Sequence, residues 1–219
     1  MKRVHAPDRL FTAEWRNHLL PEGFVYIRDV IPTAYEDIRY AGSHNFVGCP
    51  VDGYLAPRGV LRTEAAMALK TAADAFQKQG LFLLIYDAYR PQRAVDHFVR
   101  WAKDLSDTKM KAEFYPTLDK SELFPRGYIA VYSGHSRGMT VDLTLTDRDG
   151  TPLDMGGEFD WFAKISSHDY EDLTPAQRAN RRLLRETMLA AGFEDYSEEW
   201  WHYTLPSDAP KVYYDFPIE

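Results

Sequence analysis

The stretch SGHSRGMTVDLTLTD, residues 133–147, changes character at its midpoint. Its first half is small, polar and glycine-bearing, the composition of a loop. From Met139 onward apolar and polar residues alternate, which is the period of a strand with one face on a core. Val141, Leu143 and Leu145 are expected to face that core, and Thr140, Asp142 and Thr144 the opposite side. Just upstream, YIAVYSGH (128–135) reads as a further strand, and residues 105–128, polar with Pro and Gly, read as a surface excursion bordering a site.

Farther out, helices and strands mix. TEAAMALKTAADAFQKQG (63–80) has the residues of a helix, with Thr63 as its cap and Gly80 at its end. LFLLIYDAYRP (81–91) then begins with an apolar run too short for such a helix, so residues 81–86 are expected to form a buried strand. Arg90 falls in the turn that leaves it, and Pro91 suits the start of a helix over QRAVDHFVRWAKDL (92–105). A second helix is expected over TPAQRANRRLLRETMLAAG (174–192), capped by Thr174, with Leu184 and Met188 on one face. PEGFVYIRDV (21–30) and NFVGCPVDGYL (45–55) read as short strands joined by turns, and YSEEWWHYTL (196–205) as a strand. The elements lack the strict alternation of a doubly wound parallel sheet, so the fold class expected is α+β.

Composition narrows the chemistry. At 219 residues, 45% of them hydrophobic, the chain fits one domain with a large core, residues 1–30 forming an extension that packs on it. Twenty-six basic residues against 33 acidic ones give a net charge of −7, without a basic cluster to follow a phosphate backbone. Nucleic acid is therefore not an expected partner. Nor is a membrane, since the N-terminal region is charged throughout and reads as neither signal peptide nor span. The expected location is cytoplasmic, or periplasmic if a leader was removed. Cys49 is the sole cysteine, which excludes a disulfide and a thiolate zinc centre. Any metal must rest on histidines and carboxylates.

Three residues stand out on that ground. His135 and Asp142 flank the loop-to-strand transition, and EEWWHY supplies His202 together with Glu199, three residues before it. Two His and one carboxylate, with a position left open, make a catalytic rather than a structural zinc set. Glu199 adds a carboxylate for proton transfer, with Glu198 as a competing candidate that spacing does not remove. Residues three apart on a regular strand face opposite sides, so convergence of Glu199 and His202 requires an irregularity over residues 199–201. Each feature has an ordinary alternative: a histidine satisfied by backbone, an aspartate bonded to turn amides, tryptophans in simple core packing.

The motifs together resemble a family. SGHSRGMTVDLTL and EWWHY, with YDAYRPQRAV, NFVGCPVDGY, MGGEFD and GFEDYSEEWWHY, are similar to the zinc D-alanyl-D-alanine dipeptidases of the vancomycin-resistance type (VanX-like), relatives of the zinc D,D-carboxypeptidases and of the hedgehog signalling domain. The likeness runs from residue 40 nearly to the end. It implies a central, mostly antiparallel sheet flanked by helices and one Zn2+ per chain. Carried over by position, it implies His135, Asp142 and His202 as ligands and Glu199 as general base. It also implies Arg90 as the donor to a developing oxyanion, Asp160 as the partner of the substrate's ammonium group, and Tyr40 and Ser133 as pocket residues. Asp160 also has the ordinary reading of a helix cap ahead of WFAKI. The sequence departs from the family pattern at Gly134, where a serine is common, at Met139 and Thr140, usually smaller, and at AGSHNF, where a threonine usually follows YA. None is a proposed ligand. The implied activity is hydrolysis of the D-alanyl-D-alanine dipeptide. A D,D-carboxypeptidase acting on longer peptidoglycan peptides and a zinc-containing binding domain without turnover stay open beside it. The last has no chemical need for both Glu199 and Arg90. His5, His18, His97 and His168 are read as surface or structural, and His44 as packing near the pocket.

Overall fold

The structure is a computed structural model that describes residues 20–219. In chain order the elements are β1 (Phe24–Tyr26), α1 (Ile27–Val30), β2 (Tyr35–Glu36), β3 (Val60–Arg62), α2 (Thr63–Gln77), β4 (Phe82–Asp87), α3 (Gln92–Lys103), α4 (Lys111–Phe114), β5 (Thr140–Thr146), α5 (Pro175–Ala190), β6 (Glu194–Tyr196) and β7 (Glu199–Thr204). Five strands form one sheet in the order β2-β4-β5-β7-β6, parallel only between β2 and β4, and β1 pairs with β3 in a small antiparallel ribbon. The class is α+β, with a mostly antiparallel central sheet. Helix α2 lies against β4 and α5, and α5 against β6 and β7. The expected extension over residues 1–30 is described only from residue 20, where β1 ties it to β3. Residues 1–19, with His5 and His18, lie outside the described residues. Among the described residues no helix is long and apolar enough to cross a membrane.

The two long helices form where their patterns place them. Thr174 accepts a hydrogen bond from Gln177 N at 3.2 Å while Gln177 Oε1 accepts from Thr174 N, a capping box that fixes the start of α5. Its buried face is Arg181, Leu184 and Met188, one helical stripe. The start of α2 differs from expectation. Thr63 is its first residue rather than its cap, and its hydroxyl donates to the Gly23 carbonyl at 3.2 Å, tying α2 to the segment before β1.

Three strand readings are corrected. NFVGCPVDGYL is not a strand but a knot around Asn45, whose amide donates to the carbonyls of Arg39, Gly42 and Cys49 and accepts from Val47 N and Gly48 N. One fully buried side chain satisfies the backbone groups that a ladder would otherwise take. YIAVYSGH is an irregular loop, with Tyr128 N and Ile129 N both turned to the Leu123 carbonyl and Val131 and Tyr132 exposed. Asp142 does not leave the core, because β5 is buried on both faces and Thr140, Thr144 and Thr146 are buried with it. The excursion over residues 105–128 is likewise pinned inward by buried Phe114, Tyr115, Leu118 and Leu123.

Candidate active site

The turn DAYR, residues 87–90, organises the site. Asp87 is wholly buried and accepts hydrogen bonds from Tyr54 Oη at 2.6 Å and Arg90 Nε at 2.9 Å. The Ala88 carbonyl lies 2.7 Å from His135 Nδ1, and Arg90 N donates to the His135 carbonyl. A neutral imidazole that donates from Nδ1 carries its lone pair on Nε2, so this bond aims the Nε2 lone pair of His135 inward. His135 itself sits on a tight turn, Gly134–Arg137, capped by the Ser133 side chain, which accepts from His135 N.

What lies before that lone pair is Asp142 Oδ2, at 3.2 Å, and His202 Nδ1, at 3.4 Å. Asp142 Oδ1 is 2.9 Å from His202 Nδ1 and yet makes no well-aligned hydrogen bond. Strands β5 and β7 set Asp142 opposite His202 in register, so the sheet itself brings these two together. One ligand atom each from His135, Asp142 and His202 lies within 4.8 Å of the others. Lone pairs converging on one point, with a buried oxygen left unbonded, fit a divalent cation of the zinc type. The Ala88 carbonyl is then the outer partner that orients the His135 ring.

The irregularity expected in the last strand is present. Asp195 stands opposite Tyr203 but Tyr196 opposite Glu199, so residues 200–202 have no partner on β6. Trp200 and Trp201, consecutive in sequence, are both buried. Glu199 Oε2 comes within 3.5 Å of His202 Nδ1, while Glu198 is exposed and accepts a hydrogen bond from the Ser197 hydroxyl. Of the two glutamates, Glu199 is the one that faces the cluster. Burial, then the field of Asp142, raises the Glu199 pKa above the ordinary carboxylate value against the pull of His202. Burial opposes charge on Asp142 and His202 too. The two imidazoles overcome it to hold Asp142 well below the carboxylate range, and Asp142 overcomes it to raise His202.

A cavity of about 350 Å³ opens over this cluster, lined among others by Tyr40, Arg90, Ser133, Asp160, Glu199 and His202. All eight residues singled out in the sequence meet here. Asp160 is no helix cap, since the next helical turn begins only at Lys164. It is the one non-glycine among the described residues with a left-handed backbone, at φ 60°, and it accepts a 2.7 Å hydrogen bond from Tyr40 Oη. Such a conformation is costly for a residue with a Cβ and collects at binding sites. Burial first, and the Asp142 and Glu199 charges after it, raise its pKa well above the usual carboxylate value despite the Tyr40 bond. His44 is exposed, bonded to Arg39 and Glu113 outside the cavity. Two departures noted in the sequence fit each other: a Cβ on Gly134 would come 2.7 Å from Thr140 Oγ1, so the larger Thr140 calls for the glycine.

Reading the sequence alone missed Asp87, Tyr54 and the Ala88 carbonyl. Asp87 directly follows the run, residues 81–86, that reads as buried strand, and its only signal was a charged residue at the end of such a run.

A sheet that carries one histidine and two carboxylates into a cavity, with a second histidine from a tight turn and a partly buried arginine beside them, has the make-up of a metallopeptidase centre. Comparison with known proteins agrees. The family model described as D-ala-D-ala dipeptidase matches residues 21–219. The chain is 47% identical over 197 residues to a D-alanyl-D-alanine dipeptidase of Streptomyces coelicolor, covering 89% of this chain and 98% of that one. It is 40% identical over 199 residues to one of Enterococcus faecium, with 90% and 98% covered. A solved structure, VanYB in complex with D-Alanine-D-Alanine, is similar only remotely, with a TM-score of 0.42 and 14% identity over 69% of this chain and 75% of that one. The chain is a peptidase, and it belongs to the D-alanyl-D-alanine dipeptidase family.

Proposed function

We propose that this protein hydrolyses the D-alanyl-D-alanine dipeptide to two D-alanines, with one zinc ion held by His135, Asp142 and His202. The observation that carries this reading is the inward lone pair of His135, fixed by the Ala88 carbonyl, beside an unbonded Asp142 oxygen in a cavity that also holds Glu199 and Asp160. Zinc bound there would supply Lewis acidity toward the scissile carbonyl and a water acidic near pH ~7. Glu199, its pKa raised by burial, takes the water's proton as oxygen attacks the carbonyl carbon and hands it to the amine nitrogen as the C–N bond breaks. Arg90 stays charged because the fields of the Asp87 and Asp142 carboxylates overcome the cost of its burial, so it can stabilise negative charge on the carbonyl oxygen.

Asp160 and Tyr40 serve the other end of the substrate. A free dipeptide brings an ammonium group to pair with Asp160, whereas an acylated peptide offers none and leaves the carboxyl unpaired. Ser133 contributes by capping the His135 turn at the cavity wall. The test is D-alanine release by the zinc-loaded protein from free D-alanyl-D-alanine and from its N-acetyl form. Cleavage of the free dipeptide alone, weakened through KM by Asp160→Asn, is expected. Equal cleavage of both would make the protein a D,D-carboxypeptidase, and release from neither would overturn the enzymatic reading.

A further inference from the structure

Asp87 and Tyr54 are buried beside the site but do not line its cavity. The sheet register is broken at the first of them. Ile85 pairs with Leu143, and then Asp87, not Tyr86, stands opposite Asp142, so two residues of β4 answer one of β5. Because side chains alternate along a strand, that extra residue puts Asp87 on the same face as Asp142 instead of the far one. Two carboxylates directly across a sheet repel each other. Arg90 lies between them, with Nη2 2.9 Å from Asp87 Oδ2 and 3.7 Å from Asp142 Oδ2.

We propose that Asp87, held by Tyr54, is a positioning residue for the hydrolysis: it fixes the direction in which the Arg90 guanidinium presents its remaining N–H groups. The inference rests on the role given to Arg90 above. Both Nε and Nη2 of Arg90 sit on a single oxygen, Asp87 Oδ2, and the planar guanidinium can then turn only about that fork. The other oxygen is taken by Tyr54 Oη at 2.6 Å, so the carboxylate cannot rotate either. The rings of Tyr40 and Phe98, each 5.1 Å from the guanidinium carbon, close off the remaining freedom. Tyr54 is anchored in turn through a β-bridge to Ile218 at the end of the chain.

The test is a double-mutant cycle on the full-length, zinc-loaded protein, comparing Asp87→Asn, Arg90→Ala and the double variant with the parent. A misplaced oxyanion donor costs on the order of 10²-fold in kcat. Asp87→Asn is expected to show that loss with KM and bound zinc nearly unchanged. Added to Arg90→Ala it should cost at most about 3-fold more, since it acts only through that arginine. A kcat near the parent's, or losses that multiply, would overturn the proposal. Should Asp87→Asn fail to fold, Tyr54→Phe replaces it, with a kcat loss of roughly 10-fold expected and an unchanged kcat overturning the idea. Orientation is read separately from the Arg90 Nε–H signal in 15N spectra, assigned by its loss in Arg90→Lys. That signal should be sharp and slowly exchanging in the parent and broadened in Asp87→Asn. If the parent hydrolyses no dipeptide, the dipeptidase reading fails alone, and an Nε–H signal unchanged by Asp87→Asn would sink the positioning role.

Discussion

Replacing Arg181 with methionine should destabilise the protein by about 3–4 kcal/mol and weaken substrate binding. The buried Arg181 guanidinium on α5 donates to the carbonyls of Met155 at 2.6 Å, Ser167 at 3.0 Å and Ile165 at 2.8 Å. These carbonyls belong to the irregular segment that holds Asp160 in its left-handed conformation. Three charge-assisted bonds sharing one desolvation cost are worth roughly 1–1.5 kcal/mol each, at or just below the bottom of the range for charged donors. The guanidinium carbon lies 5.6 Å from the centre of the Trp200 ring, and an unbranched methionine replaces the aliphatic stem with little change of volume there, so the loss reports the bonds and not a cavity. In a domain of this size that corresponds to a fall in Tm of roughly 10 °C. Thermal unfolding followed by circular dichroism measures it, and KM for the free dipeptide should rise as the Asp160 segment loosens. A Tm within about 3 °C of the parent, with KM unchanged, would refute the account of this segment.

Two further outcomes are expected. Burial holds the His168 pKa down to about 4, so below the free imidazole value of about 6.5 the unfolded chain binds a proton that the folded chain refuses. Stability is thus intact above pH 6.5 and lost as pH falls toward 4, by about 2 kcal/mol between pH 7.5 and 5. Urea unfolding of the parent and of His168→Gln at the two pH values tests this, and equal slopes would contradict it. The C-terminal segment clasps the site turn, with Phe216 stacked on Tyr89 at 4.1 Å between ring centroids and Tyr89 Oη bonded to the Phe216 carbonyl. Phe216→Ala should cost about 2 kcal/mol and lower kcat more than KM, because Tyr89 adjoins Arg90. A kcat equal to the parent's in a folded variant would show that the clasp plays no part in activity.

The elements that were legible in the sequence are those whose signal is local. Helices α2 and α5 announce themselves by period, and the run at 82–87 by its length. The convergence of His135, Asp142 and His202 was legible because a loop, a polar position on a strand and an aromatic strand each placed one donor where a fold of this class can bring them together. The lost features depend on partners far away in the chain. Asn45 looks like an ordinary turn residue, and only the carbonyls around it make it a knot. Arg181 reads as the polar face of a helix until the segment at 155–167 is laid across it. Val131 and Tyr132 have strand-forming side chains, but no neighbouring strand offers them a ladder. Asp87 needed knowledge of the bulge, which arises from the register between β4 and β5 and from no residue type.

The most direct test of the central claim is the zinc content and dipeptide turnover of Glu199→Gln, measured on the same preparation. The variant should bind one zinc per chain as the parent does and lose about 10³-fold or more of its D-alanyl-D-alanine hydrolysis. Turnover close to the parent's would remove Glu199 as the proton carrier, and loss of zinc together with turnover would make it a ligand instead.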